Sequence, residues 1–304
     1  MSLNPRAQSG FQSASTYDAH RPTYTPSVIT TLLSNLNLAG VKNARIIDLA
    51  AGTGKFTEVL AARDEGYEIL AVEPHAEMRR VLEGKGLRGV KVVEGRGEDL
   101  GVIGDGWADG VVVAQAFHWF ANMDALREIH RVLKRHAGFG MVWNVDDYNA
   151  PQSHPATTNY ESALQSLTWS LDDTDSAPRY RHEAWRGVFD QQSKSSPLSL
   201  IIASSSEQLF SLPLAETEEK FEVRLTKEEL WERYATLSQV ANLGEEEKGK
   251  VRSRFMSILE GEDVEVDGEG RVVCHGHTKC VWTGKIPVEG SGDIGDIVGT
   301  PPAE

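Results

Sequence analysis

From residue 45 to about 145 short apolar runs alternate with amphipathic segments, the pattern of buried parallel strands joined by crossover helices. The runs predict strands at 45–50, 68–72, 90–94, 110–115 and 139–144, with helices at 55–65, 76–85 and 123–135. In the last of these Leu126, Ile129, His130 and Leu133 share one face at spacings of three and four. A helix near 27–36 precedes this core. Behind it, residues 150–196 are polar and less regular, with Trp169, Tyr180 and Trp185 spread through two expected helices. A strand at 219–225 leads into Thr226-Lys227-Glu228-Glu229, a capping box that opens a helix near 227–238, and a helix near 245–259 and a strand at 271–285 follow. The expected fold is a doubly wound α/β sheet.

One junction in this pattern carries chemistry. Asp48-Leu49-Ala50-Ala51-Gly52-Thr53-Gly54 runs from strand through a glycine turn into a helix, and Glu73 ends the next strand. In open α/β sheets a ligand sits at such a turn, where a carboxylate about 20 residues further on can hold ribose hydroxyls. Asp48 and Glu73 place two carboxylates around the loop, with Lys55 as the only nearby phosphate clamp. That suits a nucleoside carrying positive charge better than a pyrophosphate. A nucleotide-linked dehydrogenase is disfavoured, because Thr57 stands where a third glycine belongs and no Tyr-x-x-x-Lys pair occurs.

Composition narrows the partners. A formal charge of −14 weighs against a nucleic-acid backbone as substrate, since such binding is dominated by Lys and Arg. No apolar run approaches the roughly 18 residues of a spanning helix and the N-terminus has no apolar leader, so a cytoplasmic protein without membrane insertion is expected. The two cysteines lie in Cys274-His275-Gly276-His277-Thr278-Lys279-Cys280. On a strand they share one face about 20 Å apart, with both histidines on the other, so neither a disulfide nor a metal site is expected there. The segment Tyr17 to Tyr24, aromatic and basic, reads either as an arm packed on the core or as a ligand lid.

Taken together, these motifs resemble a class I S-adenosylmethionine-dependent methyltransferase, of the branch that includes trans-aconitate methyltransferases and quinone-biosynthesis C-methyltransferases. Asp48 to Gly54 is similar to the family's first motif and Ala71-Val72-Glu73-Pro74 to its second. Gly95 to Leu100 resembles the adenine-lining segment, and Val112 to Phe120 the fourth-strand signature. Glu128 to Lys134, Gly140 to Asn144 and the arm Tyr17 to Tyr24 also match in order. Two departures stand out: Ala50-Ala51 where the family shows a glycine and a small residue, and Arg96 where an acid is common.

The resemblance implies a Rossmann-like sheet, mostly parallel, with an antiparallel last strand and a helical insertion after the fifth. Composition reads the polar residues 1–15 as a flexible N-terminus and 286–304, with its Gly, Pro and acids, as a disordered tail, and the resemblance implies one domain at 16–285 between them. Within that domain it implies an arm and helix at 16–40, a cofactor core at 41–146, a pocket-covering insertion at 147–218 and sheet completion at 219–285. S-adenosylmethionine is the implied cofactor, held by Tyr17, Arg21, Asp48, Ala50, Gly52, Gly54, Glu73, Pro74, Met78, Gly97, Glu98, Gln115 and Ala116. Met78 fits either adenine packing or helix core. Tyr24, Phe117, His118, Trp119, Trp143 and Asn144 are the implied acceptor pocket. His118 is the candidate catalytic group, either as a base or as a packing and orienting side chain. A small-molecule acceptor methylated on a carboxylate or hydroxyl oxygen is expected. C- or N-methylation of a small metabolite, or a cofactor-binding regulatory protein without turnover, remain as alternatives. The oligomeric state is left open.

Overall fold

The computed structural model describes residues 24–172, 177–193 and 208–287. The arm residues Tyr17 and Arg21, the stretch 1–15 expected to be a flexible N-terminus, and most of the expected tail lie outside the described residues. After a first helix α1 (Pro26–Asn35) the chain alternates β1 (Arg45–Leu49), α2 (Lys55–Ala61), β2 (Glu68–Val72), α3 (Ala76–Gly84), β3 (Val90–Val93), β4 (Ala108–Ala114), α4 (Met123–Val132) and β5 (Leu133–Asp146). The second half adds α5 (Asn159–Trp169), α6 (Gly187–Ser193), β6 (Ala215–Leu225), α7 (Lys227–Ala235), α8 (Ser238–Ala241), α9 (Glu245–Ile258) and β7 (Val272–Gly284).

The seven strands form one sheet in the order β3-β2-β1-β4-β5-β7-β6. β1 to β5 pair in parallel, and β7 runs antiparallel to both β5 and β6. The mostly parallel α/β sheet is as expected. β1 and β4 are nearly continuous apolar runs because both of their faces are covered. On one face Ile46, Val112, Val142 and Cys280 pack with Leu32 of α1 and Phe56 of α2. On the other, Ile47, Val111, Met141 and Trp143 pack with Leu126 and Ile129 of α4 and with Trp185 and Phe189. A third cluster joins α5, α7 and α9 to Tyr148, Val272 and Cys274. Cys274 and Cys280 are both buried free thiols.

Where the elements differ from expectation, apolar spacing fits two solutions. Leu133 stands four residues after Ile129, as a helical position would, yet α4 stops at Val132 and Leu133 pairs with Ala108 at the start of β5. Burial satisfies an apolar side chain in either geometry. β6 begins at Ala215, four residues earlier than expected, because it is an edge strand whose Glu and Lys side chains alternate toward solvent. The helix expected near 227–238 divides into α7 and α8.

Candidate functional site

The loops after β1, β2 and β4 meet at the carboxyl ends of the central strands. Glu73 is 3% exposed; its Oε2 accepts the Gly52 amide at 2.9 Å and its Oε1 accepts the His75 amide at 2.9 Å. Burial pushes the Glu73 carboxyl up, and those two amides together with Arg79 pull it down. The end of β2 is thus tied to the turn that follows β1. A carboxylate offers about four acceptor sites, so these bonds leave capacity for hydroxyl donors.

Asp48 is fully buried, and its Oδ2 accepts from Thr57 Oγ1 of α2 at 2.6 Å. Its Oδ1 is buried with no hydrogen-bond partner among the described residues. Burial raises this carboxyl to about 7, with the Thr57 hydroxyl opposing and Glu73 reinforcing the rise. Two crowded acids beside a glycine turn are stabilised by a cation or a hydrogen-bond donor.

The turn is strained where the sequence lacks a glycine. Ala50 sits at φ 59°, left-handed backbone that costs an L-residue about 1 kcal/mol. Gly54 sits at φ 88°, and a Cβ there would lie 2.2 Å from Leu82 Cδ1 of α3. Met78 is buried under the turn, its sulfur 3.8 Å from where a Gly52 Cβ would lie. Pro74 is half-buried, and its carbonyl accepts from Arg79 Nη1 at 2.7 Å.

Gly97 lets the Phe120 ring approach, since a Cβ would meet Phe120 Cδ2 at 2.4 Å. Glu98 accepts from Asn122 Nδ2 at 3.1 Å, and Asn122 caps α4 by accepting the Ala125 amide. Arg96 pairs with Asp99 through backbone bonds. This turn therefore presents backbone, with Glu98 held sideways against α4.

At the end of β4, Gln115 adopts φ 62°, and its Nε2 donates to the Asn144 carbonyl at 3.1 Å. Gln115, His118, Trp119, Asn144 and Val145 line a cavity closed by Asn149, by Arg179-Tyr180-Arg181 and by Thr236 to Gln239. Both arginines are buried. Arg181 donates to Asn149 Oδ1 at 2.9 Å and pairs with Asp172, and Arg179 donates to Gln239 Oε1 at 3.2 Å and to the Ala177 carbonyl. The guanidiniums are therefore fixed in place.

Residues matching the family model described as a methyltransferase domain run from 47 to 139, and hold Asp48, the glycine turn, Glu73 and the β4 end. An uncharacterized methyltransferase-like protein of Schizosaccharomyces pombe is 40% identical over 137 residues, 44% of this chain and 51% of that protein. Over these residues the likeness is to a methyltransferase domain. An uncharacterized methyltransferase of Mycobacterium bovis is 37% identical over 131 residues, 43% of this chain and 50% of that protein. The chain spans about half the length of these curated relatives. A solved structure, a candidate type II methyltransferase of Anaeromyxobacter dehalogenans, superposes with a TM-score of 0.54 at 19% identity, over 88% of this chain and 97% of that one, a likeness of fold.

The fold brings several of the expected site residues together and sets others aside. Asp48, Ala50, Gly52, Gly54, Glu73 and Met78 converge at the turn. Of the expected acceptor residues, His118, Trp119 and Asn144 line the cavity. Tyr24 is packed edge-on against Phe56 with ring centroids 5.3 Å apart, in the core beside α1. Phe117 and Trp143 are fully buried in the core of the opposite face, where Trp143 supports the cavity through its Nε1, 3.3 Å from His118 Nδ1. Sequence reasoning missed Asn149, Arg179, Arg181 and Gln239. The run Arg179-Tyr180-Arg181-His182, basic and aromatic inside a Ser- and Asp-rich stretch, was a usable signal. Nothing local marked 236–239.

Proposed function

We propose that the chain is an S-adenosylmethionine-dependent methyltransferase acting on a small-molecule acid, with O-methylation of a carboxylate. The supporting observation is the pair Arg179 and Arg181 on the wall of the cavity that also holds His118 and Gln115. Planar guanidinium forks suit carboxylates, and burial strengthens their pull. Domain limits of 16–285 and the exclusion of nucleic acid, consistent with the charge of −14, belong to the same reading. Among the described residues no helix is long and apolar enough to cross a membrane.

When bound, S-adenosylmethionine supplies a methyl group on a positively charged sulfur leaving group. Glu73 would hold the ribose hydroxyls. Asp48 and the Gln115–Ala116 carbonyls would face the cationic end, where the orphan Asp48 Oδ1 fits a donor. Pro74 would pack on the adenine, beside the turn that holds Gly97. Arg179, Arg181 and His118 would orient the acceptor carboxylate toward the methyl carbon. Alignment of this kind lowers a barrier by roughly 7–11 kcal/mol in favourable cases. A carboxylate is already a nucleophile, so no base is required.

Incubation with labelled cofactor and a metabolite extract, followed by mass spectrometry, identifies what gains a methyl group. Release of the label as methanol on alkaline treatment marks a carboxyl ester. An alkali-stable label would establish C-, N- or hydroxyl methylation instead. Cofactor binding with no label transferred to any metabolite would favour a regulatory protein.

A further inference from the structure

The histidine pair in β7 splits between two unrelated neighbours. His275 faces α5, where Glu161 accepts from its amide at 2.6 Å and sits 3.1 Å from its Nδ1. His277 is 4% exposed and stacks against His154, ring centroids 4.4 Å apart. Its Nδ1 is buried with no hydrogen-bond partner among the described residues. Beside both rings lies the carboxylate of Asp147, 2% exposed, with Oδ1 3.6 Å from His154 Nε2. The donor atoms of Asp147, His154 and His277 all fall within 4.8 Å of one another.

A packed core explains this arrangement poorly. A buried imidazole nitrogen without a partner costs about 1–3 kcal/mol, and stacking on a second imidazole supplies no hydrogen bond. The surrounding chain is held as ligand supports usually are. Asp147 Oδ2 accepts the Thr157 amide at 2.7 Å, which leaves Oδ1 turned to His154. Gln165 of α5 donates to the carbonyls of Pro151 at 3.1 Å and His154 at 3.2 Å, and Trp169 donates to that of Ala150 at 3.2 Å. The loop from Asp147 to Thr158 is thus braced from α5.

We propose that Asp147, His154 and His277 form a binding site for a divalent transition-metal ion of the zinc type. Two imidazoles and one carboxylate are a donor set for zinc, cobalt or iron, and poor for magnesium or calcium, which prefer oxygen. Metal bonds of about 2.1 Å hold tetrahedral donors roughly 3.4 Å apart, close to the 3.6 Å between Asp147 Oδ1 and His154 Nε2, and His154 is the least buried of the three. Cys274 and Cys280 take no part, because both point to the opposite face of the sheet, into the clusters beside α7 and α1.

The site ties the end of β5 and its following loop to β7. His277 pairs with Val145 across the two strands, and Val145 and Asn149 line the acceptor cavity. The ion thereby holds one wall of that cavity, with no part in methyl transfer itself.

Tag-free, chelator-treated protein titrated with cobalt(II) tests the site, read by the visible absorption of the bound ion and by calorimetry with zinc. One ion per chain is expected, with binding weakened at least tenfold in His154→Ala and His277→Ala and unchanged in His136→Asn at an exposed position. His154→Ala is the decisive variant, since its side chain is 26% exposed and its loss leaves the core intact. S-adenosylmethionine binding by each variant, measured separately, reports the fold. Absence of stoichiometric cobalt binding to wild type, or binding that survives His154→Ala in a cofactor-competent protein, overturns the proposal.

Discussion

Trp143 Nε1 donates to His118 Nδ1 across 3.3 Å, which fixes how the cavity histidine can be used. An indole nitrogen only donates, so Nδ1 must carry a lone pair, and a neutral ring then bears its proton on Nε2. His118 is arranged to donate to an acceptor rather than to take a proton from it, and this favours the orienting role over the base. In His118→Ala, KM for the acceptor should rise about tenfold, the value of one hydrogen bond to a charged group. The pH profile of kcat should keep its shape. Loss of an acidic limb in the variant would restore the base.

Glu73 joins β2 to the glycine turn and should govern cofactor affinity. Glu73→Gln keeps one acceptor for a backbone amide and removes the charge. Calorimetry should show S-adenosylmethionine binding weakened by about 1–3 kcal/mol. Unchanged affinity would remove Glu73 from the site.

Asp48 makes stability depend on pH in a direction opposite to the usual surface acid. Its folded value, about 7, lies above its ordinary 3.8, so the folded state binds the extra proton between these limits. The associated stability is complete below about pH 4 and is lost as pH rises through about 7, amounting to at most about 4 kcal/mol. Urea unfolding of Asp48→Asn should lack this decline, the variant gaining on wild type as pH rises. Parallel curves for the two proteins would show Asp48 ionised at its ordinary value.

Ala50 carries left-handed strain that glycine relieves. Ala50→Gly should stabilise the protein by about 0.5–1 kcal/mol in urea unfolding. Gly97→Ala should act oppositely by about 1–3 kcal/mol, because its Cβ would lie 2.4 Å from the Phe120 ring. A loss of stability in Ala50→Gly would mean that the methyl group packs usefully.

The sequence by itself determined the parallel core and its glycine turn. A strand buried on both faces must be a continuous apolar run, and a chain that turns from strand to helix at φ near 60–90° needs glycine or a tolerated alanine, as at Gly52, Gly54 and Ala50. Asp48 and Glu73 were legible for the same reason, since they sit at fixed offsets from that turn. The cavity was not. Arg179, Gln239 and Asn149 are far apart in the chain, and only β5–β7 pairing and the packing of α5 and α7 bring them to one wall. His277 shows the difference most directly. Local alternation correctly put it on the face away from the cysteines, but its neighbours Asp147 and His154 come from another strand end and loop. A one-dimensional pattern records which face a side chain takes, and the tertiary structure decides what meets it there.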